Sequence, residues 1–317
     1  MRLEQLAWLA ANPRYTRRLV LAVGRRCRSA TIKDVAQDMD LHWETVKDLD
    51  ILYMKEQLQL AGSPNPQAIG IDEISIGPGH SYRIVVSDLI RKRAIWFGGT
   101  DRSEASMDLF YASLSQENRE NINIVVMDMW KAFRASTQRH LPQAAIIFDK
   151  FHIMSHLGKA LDEVRKSEYR RLQGESRRYI KGQKYTLLTK RENLSQEGSD
   201  ALELLFQANR RLYKAYLLKE QFGQLWECST SHEAEQFFRQ WKDSLRWQRL
   251  PSYQKFARMI EKHWDGIVSY CDPNNKVPLG FVEGLNNKIR SIQKRAYGFH
   301  DEAYFSLKIL TNNLPKL

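Results

Sequence analysis

The chain has 317 residues, of which 43% are hydrophobic and 27% charged, and it contains 16 glycines and 9 prolines. This composition excludes wholesale disorder and fibrous repeats, and the length allows one large domain or two to three ordinary ones. Lys and Arg number 49 against 37 Asp and Glu, a net charge of +12, so the surface attracts polyanions. Nucleic acid is therefore the leading partner class, although many basic proteins never bind it.

Cysteine usage and hydropathy bear on the compartment. Cys27, Cys228 and Cys271 are far apart and odd in number, which excludes a disulfide framework or a paired-cysteine zinc cluster within this chain. The longest apolar stretch near the start covers residues 19–23, far below the roughly 18 residues of a membrane helix. A signal-peptide pattern is also missing. We therefore expect a cytoplasmic, nucleoid-associated protein with no membrane partner.

Two short helices separated by a sharp turn are predicted between residues 31 and 49. Apolar side chains recur at helical spacing on both sides of one interruption, at Ile32, Val35, Ala36, Leu41, Val46 and Leu49. The interruption falls at Met39 and Asp40, and Asp is one of the few residues that tolerate a left-handed turn. This pattern favours a helix-turn-helix, while a plain helical bundle is the alternative.

In a helix-turn-helix, the second helix offers its first residues to base edges in the major groove. Here that helix begins near His42 and presents His42, Glu44, Thr45 and Lys47. We predict His42, Thr45 and Lys47 as DNA contacts. Residues 61–66, Ala-Gly-Ser-Pro-Asn-Pro, then end the helix and predict a linker.

A strand-like period replaces the helical one between residues 69 and 153. Strands are predicted at residues 69–76, 82–87, 93–98, 122–127 and 144–148, and helices at residues 103–114 and 130–139. Short turns join the first three strands, so these strands are expected to be antiparallel neighbours. The last two strands alternate with helices. This order predicts an α/β ribonuclease-H-like catalytic core, in which helices cover the sheet.

Residues 151–270 are almost wholly helical in pattern and predict a large all-α insertion. Basic pairs recur along it, and half of the eight tryptophans lie there, at Trp226, Trp241, Trp247 and Trp264. Basic residues interleaved with large aromatics suit a DNA-contacting segment. The alternative is that the tryptophans fill a helical core and the basic pairs lie on a solvated face.

Two aspartates occupy matching places in the predicted sheet. Asp72 lies in the first strand and Asp128 ends the fourth, so a ribonuclease-H-like sheet would place them on adjacent central strands. Such carboxylates form a hard-oxygen site for two Mg²⁺ ions, roughly 3.5–4 Å apart, that can activate an attacking oxygen and stabilise a leaving one. Either aspartate alone could instead cap a turn.

The candidate for the third carboxylate is Glu283, at the head of a predicted helix. Leu285, Ile289, Ile292 and Ala296 form the apolar stripe of that helix. Asn287, Arg290 and Lys294 follow Glu283 by four, seven and eleven residues and share its face. This arrangement predicts a metal ligand beside phosphate-binding groups. We predict Asn287, Lys288, Arg290, Lys294 and Arg295 as DNA contacts.

Further polar residues near the predicted strands have weaker assignments. His152 and His156 are four residues apart on a predicted helix, but a third soft ligand is missing, so we interpret His152 as structural or as a DNA contact. Asp149, at the end of the fifth strand, is an accessory carboxylate. Glu73 is expected on the face of the strand opposite Asp72.

Several stretches together resemble the DDE transposases of bacterial insertion sequences, the ISL-three group. They are Ile71-Asp-Glu-Ile-Ser, Val125-Val-Met-Asp-Met-Trp, Phe148-Asp-Lys-Phe-His, Val282-Glu-Gly-Leu-Asn-Asn-Lys-Ile-Arg and Arg295-Ala-Tyr-Gly-Phe-His. The resemblance runs from about Thr31 to the C-terminus. It implies that Asp72, Asp128 and Glu283 are the catalytic metal ligands, with Mg²⁺ or Mn²⁺, and that double-stranded DNA is the substrate.

The sequence departs from that group in two places. Members usually begin with a zinc-binding segment of paired cysteines, whereas Cys27 stands alone here. Their last motif commonly reads Gly-Phe-Arg, where this chain has Gly298, Phe299 and His300. The missing cysteine segment motivates an alternative function, that of a truncated or domesticated DNA-binding protein without transposition activity. A second alternative is another ribonuclease-H-like nuclease, such as a junction resolvase.

The expected organisation has four parts. Residues 1–62 form the helix-turn-helix region, 63–155 the first part of the core, 156–276 the helical insertion, and 277–317 the C-terminal helical part that carries Glu283. The expected function is metal-dependent cleavage at insertion-sequence ends, marked by terminal inverted repeats, followed by strand transfer to target DNA. A homo-oligomer is expected because two ends must be brought together.

Overall fold

The computed structural model describes residues 8–10, 12, 14–77, 81–299 and 301–317. These residues form two compact units. The first comprises Met1–Val125, Trp130–Ala144 and Gly280–Leu317, and the second comprises Val126–Met129 and Ala145–Leu279. The three cysteines are free and buried. Within the described part of the chain, none of the helices has the length and apolar character needed to cross a membrane.

Three helices open the first unit: α1 (Arg17–Cys27), α2 (Ile32–Asp38) and α3 (Trp43–Ala61). Thr31 and Asp34 form a capping box at the start of α2, which satisfies two backbone N–H groups that a helix start leaves exposed. Asp40 adopts a left-handed φ of 51°, so the predicted turn between α2 and α3 is confirmed.

The core of this region includes a contribution from the far end of the chain. Val23, Val35, Val46 and Leu49 are fully buried, and Tyr304 packs in the same cluster. Three further residues from the last twenty, Phe299, Leu307 and Leu317, pack against that cluster. Its apolar core is therefore closed by residues that lie some 250 positions later in the sequence.

A five-stranded mixed sheet has the order β3-β2-β1-β4-β5. The strands are β1 (Ala68–Gly77), β2 (Ser81–Asp88), β3 (Arg93–Gly98), β4 (Ile124–Met127) and β5 (Ala145–Phe148). β1, β2 and β3 are antiparallel neighbours as predicted, with Asp72 opposite Val85. β4 follows β1 in the sheet, which confirms that Asp72 and Asp128 are associated with adjacent strands.

Helices accompany the sheet in the first unit: α4 (Glu104–Ala112), α5 (Gln116–Glu120), α6 (Lys131–His140), α15 (Phe281–Arg295) and α16 (Glu302–Thr311). The five-residue helix α5 is absent from the sequence prediction because so short a segment has no apolar stripe. Helix α15 lies very close to β1, since a Cβ atom added to Gly70 would lie 2.5 Å from Cγ2 of Val282. Only glycine allows that approach.

Apart from β5 and the end of β4, the second unit is helical, as predicted for residues 151–270. Its helices are α7 (Lys150–Arg171), α8 (Gly174–Ile180), α9 (Lys184–Leu188), α10 (Gln196–Ala208), α11 (Arg210–Phe222), α12 (Ser231–Ser244), α13 (Pro251–Lys262) and α14 (Trp264–Val268). Trp241 is fully buried and packs on Phe222 and Phe256, while its Nε1 donates to the Leu218 carbonyl.

The tryptophans of this unit mostly serve its core. Trp226 is buried like Trp241, and Trp264 is half-buried and stacks on Phe238. Trp247 differs, because 81% of it is exposed. The core alternative therefore holds for Trp226 and Trp241, and DNA contact by other parts of this segment stays a prediction.

Candidate active site

Asp72 lies in the middle of β1, where it is only 5% exposed. Its Oδ1 accepts a hydrogen bond from the Glu73 backbone N–H at 2.8 Å, and its Oδ2 accepts one from Asn286 Nδ2 at 2.6 Å. The carboxylate orientation is therefore fixed by the chain itself.

Asn286, the partner of Asp72, is a site residue that the sequence analysis missed. It lies on the buried face of α15 with Val282, Leu285 and Ile289, and it is 1% exposed. Its Oδ1 has no hydrogen-bond partner in the described part of the chain, which costs about 1–3 kcal/mol for a buried amide oxygen. A polar residue within an apolar stripe was the available signal.

Glu283 lies one helical turn before Asn286, in the first turn of α15. There its negative charge is favourably placed with respect to the helix dipole. Arg290 Nη1 lies 3.4 Å from Glu283 Oε1 and donates to Asn287 Oδ1 at 2.9 Å. The predicted common face of Glu283, Asn287 and Arg290 is therefore confirmed, and Lys294 is exposed further along the helix.

Lys288 and Arg295, the other two predicted DNA contacts on α15, both lie close to Arg28 at the end of α1. Lys288 Nζ donates to Asn313 Oδ1 at 3.1 Å, and burial together with the positive charge of Arg28 lowers the Lys288 pKa. Arg295 Nη1 donates to the Arg28 carbonyl at 2.9 Å. Both side chains thus take part in contacts within the first unit, separate from the Glu283 hydrogen bonds.

Glu73 belongs to a charged and aromatic cluster of the first unit. Arg102 Nη1 binds Glu73 Oε1 at 2.7 Å, and its guanidinium lies 4.5 Å from the ring centre of Tyr82 and 4.9 Å from that of Trp130. The indole Nε1 of Trp130 donates to the Arg102 carbonyl at 2.8 Å. Glu73 therefore has a role in packing, distinct from that of Asp72.

In the second unit, Asp128 directly follows β4, with a side chain that is 26% exposed. Its Oδ1 accepts from the Met129 backbone N–H at 2.7 Å, and its Oδ2 lies 3.7 Å from His152 Nδ1. Burial lowers the pKa of His156, and Lys159 lowers it further, while Asp128 opposes the shift. His152 and His156 therefore belong to the surroundings of Asp128.

Asp149 is buried at the junction between β5 and α7. It is the N-cap of α7, where its Oδ1 accepts from the Phe151 N–H at 2.9 Å, and its own N–H donates to the Met127 carbonyl at 2.9 Å. These contacts fix the strand-to-helix turn that precedes His152. The geometry gives Asp149 a structural role.

The start of α3 presents the predicted recognition residues. His42 is the exposed N-cap of the helix, Glu44 is exposed, and Thr45 is half-buried. Lys47 Nζ binds Asp301 Oδ2 at 2.7 Å, so Lys47 is also engaged with the residue that caps α16. His300 lies outside the described residues.

The three predicted ligands are carboxylates, which are the hard oxygen donors that Mg²⁺ and Mn²⁺ prefer. This donor chemistry fits a divalent cation. Among the residues that the structure describes, no three His, Cys, Asp or Glu side chains are gathered closely enough to hold a metal ion.

Comparison with known proteins identifies the family. A model of the ISL3-type DDE transposases, described as Transposase, matches residues 69–309. The chain belongs to the ISL3 (ISL-three) family of DDE transposases. A second model, described as the helix-turn-helix domain of transposase family ISL3, matches residues 4–51. This ISL3 chain is therefore an enzyme that acts on DNA.

Relatives of the transposase chain carry the same description. It is 32% identical to the transposase for insertion sequence element IS1001 from Bordetella parapertussis, over 97% of this chain and 76% of the relative. It is 26% identical to the transposase for insertion sequence element IS1557 from Mycobacterium tuberculosis, over 87% of this chain and 67% of the relative. DDE transposases generally use divalent metal ions.

Proposed function

We propose that Asp72, Asp128 and Glu283 hold a pair of Mg²⁺ or Mn²⁺ ions and catalyse both the cleavage of insertion-sequence ends and strand transfer. The observation that carries this proposal is the hydrogen bond from Asn286 to Asp72, one helical turn from Glu283. It fixes one predicted ligand against the helix that bears another. The proposed core is ribonuclease-H-like, with a helix-turn-helix, a helical insertion and a C-terminal helical part at the predicted boundaries.

The chain's own residues divide the work of the reaction. The exposed face of α15, with Asn287, Arg290 and Lys294, holds phosphates next to Glu283. Asn286 orients Asp72, and Arg290 keeps the Glu283 side chain on the phosphate-binding face. Bound divalent cations would supply activation of the attacking oxygen and stabilisation of the leaving oxygen.

Two displacements follow from this arrangement. In the first, water attacks a phosphodiester at the element's end, the bond to the 3′ oxygen breaks, and a 3′-hydroxyl and a 5′-phosphate are left. In the second, that 3′-hydroxyl attacks a phosphodiester of the target DNA and displaces another 3′ oxygen. His42, Thr45 and Lys47 of the recognition helix select the terminal inverted repeats, and a homo-oligomer brings two ends together on the nucleoid.

The test is Asp128→Asn, assayed with the purified chain, a duplex carrying the terminal inverted repeat, and Mg²⁺ or Mn²⁺. We expect cleavage to fall by at least about 1,000-fold while DNA affinity stays within about twofold, because the amide replaces a metal ligand without adding bulk. Asp200→Asn, an exposed carboxylate in α10, is the matched control and should leave cleavage unchanged.

Retained cleavage by Asp128→Asn would contradict the proposed ligand set. A wild-type chain that binds the repeats and never cuts them would instead support the alternative of a DNA-binding protein without transposition activity. The two outcomes are distinguishable because the first concerns the variant and the second concerns the unmodified chain.

A further inference from the structure

Tyr297 occupies a position that stability alone does not explain. It follows the last residue of α15 by two positions and adopts a left-handed φ of 55°. The N–H groups of Tyr297 and Gly298 close the helix end on the carbonyls of Lys294 and Gln293. At this place in a helix terminus glycine, and sometimes asparagine, is usual, because a Cβ atom is strained there.

The Tyr297 ring is also 97% exposed. Four non-glycine residues in the described part of the chain have a positive φ, and Tyr297 is the one aromatic residue among them. The left-handed backbone reduces the stability of the fold, and the exposed ring contributes no burial free energy to offset that cost. Strain of this kind is maintained where the side chain has a task outside the chain.

The surroundings of the ring favour a nucleic acid. Tyr297 lines a cleft of about 1020 Å³ together with Trp43, the first residue of the recognition helix, which is 51% exposed. The exposed cations Lys33, Lys294 and Arg295 line the same cleft. Basic side chains around exposed aromatic rings are the usual combination for holding a nucleic-acid strand, whose phosphates meet the cations while its bases stack on the rings.

We propose that the Tyr297 ring stacks on an unpaired base of bound DNA, with Lys33 and Lys294 contacting the neighbouring phosphates. The base must be unpaired and unstacked because a side chain gains access to its flat face only then. This inference rests on the proposed function for its DNA partner. It adds a base-stacking contact between the recognition helix and the helix that carries Glu283.

The experiment compares two DNA probes, a blunt duplex and the same duplex with a three-nucleotide single-stranded overhang that carries 2-aminopurine. The wild-type chain should bind the overhang probe about tenfold more tightly and quench its fluorescence. Tyr297→Gly should lose both the preference and the quenching. Tyr297→Phe should retain them, because stacking requires the ring and not the hydroxyl.

Stability measurements separate this role from a structural one. Tyr297→Gly should unfold at the same or a higher temperature than wild type, because glycine relieves the strained φ. Lys92→Gly is the matched control, since Lys92 also has a left-handed φ, 53°, in the turn between β2 and β3. It should show the same stability trend and an unchanged preference for the overhang.

Three results would overturn the inference: an unchanged preference in Tyr297→Gly, a lowered unfolding temperature in that variant, or a change in its oligomeric state. Running the probes with terminal-repeat and scrambled sequences identifies the source of the base. A preference limited to the repeat assigns it to the element's end, and a preference shared by both assigns it to any frayed DNA. If the Asp72→Ala variant still cleaved DNA, the proposed function would be contradicted. The stacking inference would not be, because the overhang preference does not depend on that carboxylate.

Discussion

Asp72 and Asp128 carry the same side chain in association with neighbouring strands, yet their surroundings differ. Asp72 is 5% exposed and receives hydrogen bonds at 2.8 and 2.6 Å from its own backbone and from Asn286. Asp128 is 26% exposed at its side chain and lies beside His152. The first carboxylate is held by buried contacts, whereas the second is partly exposed. The comparison indicates that one proposed ligand, Asp72, is part of the folded core, whereas the other, Asp128, can be altered with little effect on the core.

The largest effects are expected from removing the two carboxylates, and they should separate catalysis from stability. Asp72→Ala and Asp128→Ala should both lower cleavage by at least about 1,000-fold. Asp72→Ala should also lower the free energy of unfolding by about 1–3 kcal/mol, because the buried Asn286 amide loses its acceptor. Asp128→Ala should change it by about 0.5 kcal/mol or less. If urea unfolding showed equal destabilisation in the two variants, the contrast between a buried Asp72 and a partly exposed Asp128 would not explain their stability effects.

An intermediate effect is expected from Asn286→Leu, which removes the contact that fixes Asp72 and leaves all three carboxylates in place. We expect the affinity for Mn²⁺, measured by titration calorimetry without DNA, to fall by about 10- to 100-fold. Gln293→Leu is the matched control, because Gln293 donates from the same helix to the Ile76 carbonyl of the same strand at 3.0 Å. Equal losses in the two variants would assign both residues to packing.

The smallest effect concerns the stability of the unit that carries Asp128. Burial alone would raise the pKa of Glu168, but hydrogen bonds from Arg171, Asn209 and Arg211 outweigh it and lower that pKa below 4.5. The unfolded chain therefore binds more protons than the folded one at mildly acidic pH. The resulting stabilisation is complete above about pH 4.5 and is lost as the pH falls through the lowered value.

Glu168→Gln should accordingly cost about 1–3 kcal/mol at neutral pH and flatten the acid limb of the stability curve. Tryptophan fluorescence follows this unfolding, since Trp226 and Trp241 are buried in the same unit. An acid limb as steep as that of wild type would show that another carboxylate causes it.

The sequence was sufficient to predict those features that depend on a local pattern of residues. Strand periodicity located β1 to β5, and helical spacing placed Glu283, Asn287 and Arg290 on one face. Contacts between distant positions could not be predicted from the sequence. Asn286 binds Asp72 across 214 positions, and Lys47 binds Asp301 across 254. A helical wheel assigns Asn286 to the buried face but cannot identify its partner. For the same reason, the pattern could not divide the tryptophans between core and surface.

Tyr304, which closes the core of the helix-turn-helix region, is synthesised long after the residues on which it packs. The Tyr304 hydroxyl donates to Asp50 Oδ2 at 2.6 Å, and 254 positions separate the two residues. At roughly 5–20 residues per second, a ribosome needs on the order of 10–50 s to travel from one to the other. Throughout that interval the recognition helix has emerged without its last packing partner. A chain that stops anywhere within the second unit's Ala145–Leu279 segment therefore lacks Tyr304, and the core of its helix-turn-helix region stays open.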